Sequence, residues 1–126
     1  MKIQTKQFGE VEFTEENILR FEDGLYGFEE LKKFLLLKHD DDIFYWLTSV
    51  EQPEIVFPLF GIRMIDDKYP QTEDGEAFGI VKLDRDPLKS TINLRAPVYI
   101  NQESKTGYQT ILNDESYPVE YQLFTE

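Results

Sequence analysis

The chain has 126 residues, 40% of them hydrophobic, with ten Phe, seven Tyr and no Cys; one folded domain over residues 1–126 is expected, and disulfides, thiolate metal sites and thiol nucleophiles are excluded. Twenty-five Asp and Glu against thirteen Lys and Arg give a net charge of −12, which repels nucleic acid and anionic lipid and favours basic protein partners. No apolar run reaches the roughly 18 residues of a membrane span, and the N-terminus lacks a signal peptide's hydrophobic segment, so a cytoplasmic protein away from the membrane is expected.

Ile3 to Phe8 alternates weakly, Gly9 turns, and Val11 and Phe13 alternate again, which predicts an N-terminal hairpin. Asn17 to Phe21 reads as a short strand, and the two glycines of Glu22–Phe28 bend the chain. From Phe28 the period changes. Phe28, Leu31 and Phe34 or Leu35 fall on one helical face, with Glu29 and Glu30 in the first turn and Lys32 and Lys33 in the last. This predicts one short helix whose ends complement its dipole. A strand follows over Leu35–Lys38, then a polar turn from His39 to Asp42 and a strand rich in aromatic and β-branched residues from Ile43 to Val50. Ile55 to Ile62 is another apolar strand, and Pro58 marks an edge or bulge within it. Ile55, Phe57, Leu59 and Phe60 beside that irregularity are candidates for an accessible apolar surface.

Asp66 to Glu76 is an acidic surface connection carrying Asp66, Asp67, Glu73 and Asp74, and Ala77 to Leu83 is a strand again. Asp84 to Lys89 forms the loop before the most regular stretch of the chain. There Ile92, Leu94 and Ala96 alternate with Thr91, Asn93 and Arg95 up to Pro97, which cannot donate to a ladder and marks an edge, a bulge or a change of strand. Val98 to Ile100 resumes, Asn101 to Thr106 connects, Gly107 turns, and Tyr108 to Leu112 returns. A last short strand runs over Val119–Phe124. Many short strands, glycine- and proline-marked turns and one helix predict a mostly β fold, a small antiparallel β-barrel-like domain.

Thr91-Ile92-Asn93-Leu94-Arg95-Ala96-Pro97-Val98, with Ile100 and Asn101, resembles the T-V-N-L-x-A-P-I-x-I-N signature of the FliW family of flagellar assembly factors. Gly107, Gln109, Ile111 and Leu112 resemble its G-x-Q-x-I-L continuation. Phe21, Gly24, Gly27 and Phe28 match a second element, F-x-x-G-x-P-G-F, in which Tyr26 replaces the proline. The acidic segment 66–76 departs from the family, whose members carry a longer or more regular stretch there. The resemblance implies the same barrel fold, with Asn93, Leu94, Ala96, Pro97, Asn101, Gly107 and Gln109 as its structural signature. It also implies two protein partners, flagellin and the RNA-binding translational repressor CsrA, held in mutually exclusive complexes. In that scheme the family member keeps CsrA off flagellin messenger RNA until accumulated flagellin displaces it.

Chemistry finds little support. His39 with Asp40, Asp41 and Asp42 lists metal-ligand residue types, but adjacent residues point apart and there is no second histidine. Thr72 to Glu76 lacks the full calcium-loop pattern. Asp84 with Asp86, or Asp66 with Asp67, lies within one polar loop, without the contrasting environments acid–base pairs need. No serine sits in a nucleophile elbow. No cofactor and no catalytic residue are expected. An oligonucleotide-binding barrel is the alternative suggested by the aromatics, yet it needs a basic groove beside them; a small-ligand-binding barrel or hydrolase would need a cavity with convergent polar groups. Most of Phe44, Tyr45, Trp46, Phe57 and Phe60 are expected in the core. The residues assigned to partner contact are therefore Ile55, Phe57, Leu59 and Phe60 for flagellin, and Asp66, Asp67, Glu73 and Asp74 for the basic partner.

Overall fold

The computed structural model describes residues 1–72 and 75–125. The N-terminal alternation forms the expected hairpin, β1 (Lys2–Thr5) against β2 (Gly9–Glu12), with Ile3 opposite Val11. The strands that follow are β3 (Leu19–Arg20), β4 (Lys33–Leu37), β5 (Tyr45–Ser49), β6 (Val56–Gly61), β7 (Glu76–Lys82), β8 (Thr91–Ile92), β9 (Val98–Asn101), β10 (Thr106–Gln109) and β11 (Tyr121–Gln122). In space β7, β6, β5, β4, β3, β10 and β9 are successive neighbours, and β9 pairs back onto β7 to close a seven-stranded barrel. Among the described residues every pairing of these strands is antiparallel except β3 with β10, which meet in parallel through Arg20 and Thr106. Beyond Ile80, the last residue paired with β6, β7 leaves the ring and pairs through Val81 and Lys82 with β8, which carries β11 on its other side.

The predicted helix at Phe28 is absent; among the described residues the helical segments are 3-10 turns at Glu15–Asn17, Ile62–Met64 and Pro87–Lys89. Phe28 closes a tight turn with Leu25 instead, and the chain enters β4 two residues earlier than the sequence suggests. The physical reason is that Lys33–Leu37 is buried on both faces. Phe34 and Leu36 face the barrel interior, while Leu35 and Leu37 pack under the N-terminal hairpin with Ile3, Phe13 and Ile18. A short continuous apolar run fits a two-sided strand as well as a helix, and two separate cores are served only by alternation. Glu51 secures the entry, its Oε1 accepting from the Lys32 and Lys33 amides at 2.8 and 3.0 Å.

Three clusters make the core. Phe21, Leu31, Phe34, Leu47, Leu59 and Phe78 fill the barrel. Ile62, Tyr69, Val81, Ile92 and Leu94 pack where β7 meets β8. The third lies under the hairpin. Pro58 is tolerated inside β6 because pairing of β6 with β7 begins at Leu59; at Pro58 the register with a neighbour is through Trp46 of β5 alone. Gly107 is a further departure from expectation. It is not a turn residue but lies inside β10 opposite Ile100, where a Cβ would stand 2.3 Å from the ring of Phe21. Its missing side chain makes room for a core aromatic.

Candidate partner-binding groove

The segment 93–97 is irregular, and polar side chains take the place of a ladder. Asn93 Oδ1 accepts from the amides of Arg95 and Ala96 at 2.9 and 3.0 Å. Asn93 N donates to Ile80, Leu94 N donates to Pro118 and Leu112 N donates to Arg95 O. Arg95 reaches across the C-terminal turn, with Nε on Tyr117 O at 2.8 Å and Nη2 on Glu115 O at 3.0 Å. Tyr69 Oη donates to Leu94 O; burial raises its pKa, as do Tyr99, Tyr117 and Asp66 nearby, so the phenol stays protonated as a donor. Asn101 repeats the device at the β9–β10 turn, accepting from the Glu103 and Ser104 amides. Gln109 then joins the two matched motifs. Its Nε2 donates to Ala96 O and its Oε1 accepts from Tyr26 N, both at 3.0 Å. Gly24 permits the close turn that presents Tyr26: its φ is +67°, and a Cβ there would meet Glu29 backbone at 2.6 Å.

These segments wall a groove of about 500 Å³ between the turn at Tyr26, the outer part of β7 and the chain at 109–120. Tyr26, Ile111 and Val119 line it at 53%, 55% and 51% exposure, three of the eight large apolar side chains left exposed among the described residues. Such a concentration makes the groove the candidate docking surface of the molecule. Lys82 and Arg95 line it too, against a single acid, Glu120. The sequence did carry one signal for it. Ile111 and Leu112 are adjacent, so on extended chain one must face outward; Ile111 does, while Leu112 packs inward.

The apolar candidates chosen from sequence do not form one surface. Leu59 is fully buried in the barrel and is corrected to a core residue. Ile55 and Phe57 are half-buried against the same core, with Phe57 edge-on to Phe28 at 5.1 Å between ring centroids. Phe60 faces the opposite way, toward Phe44 in the second cluster. Asp67 is exposed; Asp66 is half-buried, its Oδ1 accepting from Lys68 N at 3.0 Å. Glu73 and Asp74 lie outside the described residues. The acidic connection is not wholly a surface loop, because Tyr69 in its middle is buried.

At the His39–Asp42 turn, His39 stacks on Phe8 and Asp42 accepts from Phe44 N and Trp46 Nε1 at 3.0 and 2.9 Å. Burial pushes the Asp42 carboxyl up, but these bonds and nearby His39 outweigh it and hold its pKa below the ordinary value. The groups are engaged locally, and no cluster of three metal-ligand side chains occurs among the described residues. No helix of the described residues is long and apolar enough to cross a membrane.

The family profile described as FliW protein matches residues 2–123. The flagellar assembly factor FliW of Caldicellulosiruptor saccharolyticus is 39% identical over 97% of this chain and 90% of its own length. That of Bdellovibrio bacteriovorus is 38% identical over 100% of this chain and 81% of its own length, and that of Clostridium botulinum type Ba4 is 36% identical over 100% and 99%. A crystal structure of the flagellar assembly factor FliW superposes with a TM-score of 0.87 at 32% identity, covering 99% of this chain and 98% of that one.

Proposed function

Because the chain belongs to the FliW family of flagellar assembly factors, we propose that it acts in the cytoplasm as a non-catalytic regulator that binds flagellin and sequesters CsrA. The observation that carries the flagellin half is the groove at Tyr26, Ile111 and Val119. Both motifs that resemble the family build it, and a flagellin segment unfolded before assembly needs an apolar surface to dock on. The groove replaces the 55–60 stretch as the preferred contact, with Ile55, Phe57 and Phe60 as secondary positions.

The CsrA half rests on charge. An RNA-binding repressor carries a basic surface for phosphates, and this chain offers −12. Few of its acids are neutralised internally: the ion pairs among the described residues are Lys2 with Glu10 and Glu12, and Arg20 with Glu15, all exposed. Docked beside CsrA, such a surface lowers the local potential and repels RNA. The field acts over about 8 Å at physiological salt, so Asp66, Asp67, Glu73 and Asp74 are assigned to it as a group.

The test is displacement of RNA from CsrA by wild type and by a variant with these four acids changed to Asn or Gln, across a salt series. Wild type should lose association rate as salt rises, and the variant should displace RNA less well at low salt while remaining folded. Equal displacement by both would remove these carboxylates from the mechanism. Capture of flagellin by wild type, and its loss in Ile111→Asp, tests the other half; a wild type that captures neither partner overturns the proposal.

A further inference from the structure

The groove's charge has the opposite sign to the chain's. Two basic side chains and one acid line it, whereas acids outnumber bases 25 to 13 overall. Neither base is ion-paired among the described residues. Lys82 is exposed beside the apolar side chains. Arg95 is half-buried and fixed by its bonds to the Tyr117 and Glu115 carbonyls, which are neutral, and its Nη1 has no hydrogen-bond partner among the described residues. The acids near it are Glu120 on the groove wall and Asp114, whose carboxyl is held below its ordinary pKa first by its hydrogen bonds from Ser116 and after these by the charge of Arg95.

We infer that this groove receives a protein segment in which apolar side chains alternate with carboxylates, the apolar ones on Tyr26, Ile111 and Val119 and a carboxylate on Lys82 and Arg95. Three kinds of occupant can be compared. A basic segment would set its cations against two fixed ones. A neutral apolar segment would cover Lys82 and Arg95 and desolvate both charges without supplying an ion-pair partner, which costs binding energy. An acidic–apolar segment buries the same apolar area and pairs the cations. Arg95 also suits the role because its planar donors are already held in place, so little freedom is lost on pairing. The protein's long-range field opposes approach of such a segment, yet that field is screened over about 8 Å and acts on the association rate, while the local pairs act on dissociation. Association at the groove should therefore quicken with salt, opposite to the behaviour expected for a basic partner.

The inference rests on the groove's being a protein-docking surface, as proposed above, and not on which protein supplies the segment. It is tested with two short synthetic peptides that share their Leu and Ile positions, one carrying Glu and the other Lys between them. Titration into the isotope-labelled full chain is followed by the backbone amide spectrum. The Glu peptide should shift the amides of Lys82, Arg95, Gln109 and Ile111 and bind about fivefold more tightly than the Lys peptide. Lys82→Glu should reverse that order, and Ile111→Asp should weaken both peptides while amides remote from the groove keep their positions. Equal or tighter binding of the Lys peptide to wild type, shifts confined to another surface, or no shift with either peptide at millimolar concentration overturns it. Flagellin capture measured on the same variants separates the two readings: capture by wild type and undiminished capture by Lys82→Glu and Ile111→Asp would keep flagellin as a partner and overturn the groove as its site.

Discussion

Asn93 shows how one side chain replaces a missing stretch of ladder. Its Oδ1 takes two amides, Arg95 N and Ala96 N, that Pro97 and the bend leave without strand partners. Asn93→Ala should destabilise by about 1–3 kcal/mol, since two donors lose their acceptor, whereas Asn93→Asp keeps an acceptor in place and should lose less. Thermal melts of both variants decide it; an alanine variant with an unchanged melting temperature that fails only in partner binding would make Asn93 a contact residue. Gly107 is the complementary case, a residue required for what it lacks. Gly107→Ala places a methyl 2.3 Å from the fully buried Phe21 ring, and overpacking of this kind costs about 1–3 kcal/mol. Phe21→Leu in the same chain should restore part of that loss in denaturant unfolding, which a purely conformational effect at position 107 would not allow.

At the scale of elements, β4 holds the barrel and the N-terminal hairpin together because its residues alternate between two cores. Leu35, 2% exposed, is the outward member, packed with Ile3, Phe13 and Ile18. Leu35→Ala should cost about 2–5 kcal/mol, the usual range for a buried leucine. Its signature is local. Hydrogen exchange at Ile3 and Val11 should quicken more than at Leu47 or Val98 inside the barrel, because among the described residues the hairpin strands pair only with each other and lean on this cluster. Equal acceleration at all four amides would mean that hairpin and barrel open as one unit.

For the molecule as a whole, charge is the largest unbalanced quantity. A net −12 with few internal ion pairs repels itself in the folded state. Raising salt from low to physiological ionic strength should raise the melting temperature by about 2–4 °C, the shift of a fraction of a kcal/mol at this size. A melting temperature that falls or stays flat over that range would show that the acids are too dispersed for self-repulsion to matter. The same screening should slow association with a basic partner, so stability and on-rate should move in opposite directions with salt.

The sequence by itself determined where most of the strands lie, the mostly β class and the family. Alternation at Ile3–Phe13, the aromatic run within Ile43–Val50 and the continuous string from Thr91 to Asn101 are local patterns, and local patterns are what a linear reading can see. The resemblance placed Asn93 in the structural signature, but that its Oδ1 takes the Arg95 and Ala96 amides is seen only in the structure. Only the tertiary structure decided what depended on neighbours far along the chain. Lys33–Leu37 is a strand and not a helix because the hairpin covers its second face; nothing within the segment itself shows that cover. Gly107 is a strand residue because Phe21, distant in sequence, lies across from it. The same reason moved the candidate site. Leu59 and Ile111 are both apolar residues in extended chain, and burial separates them only once the barrel closes around the first and leaves the second outside, beside Tyr26 and Val119.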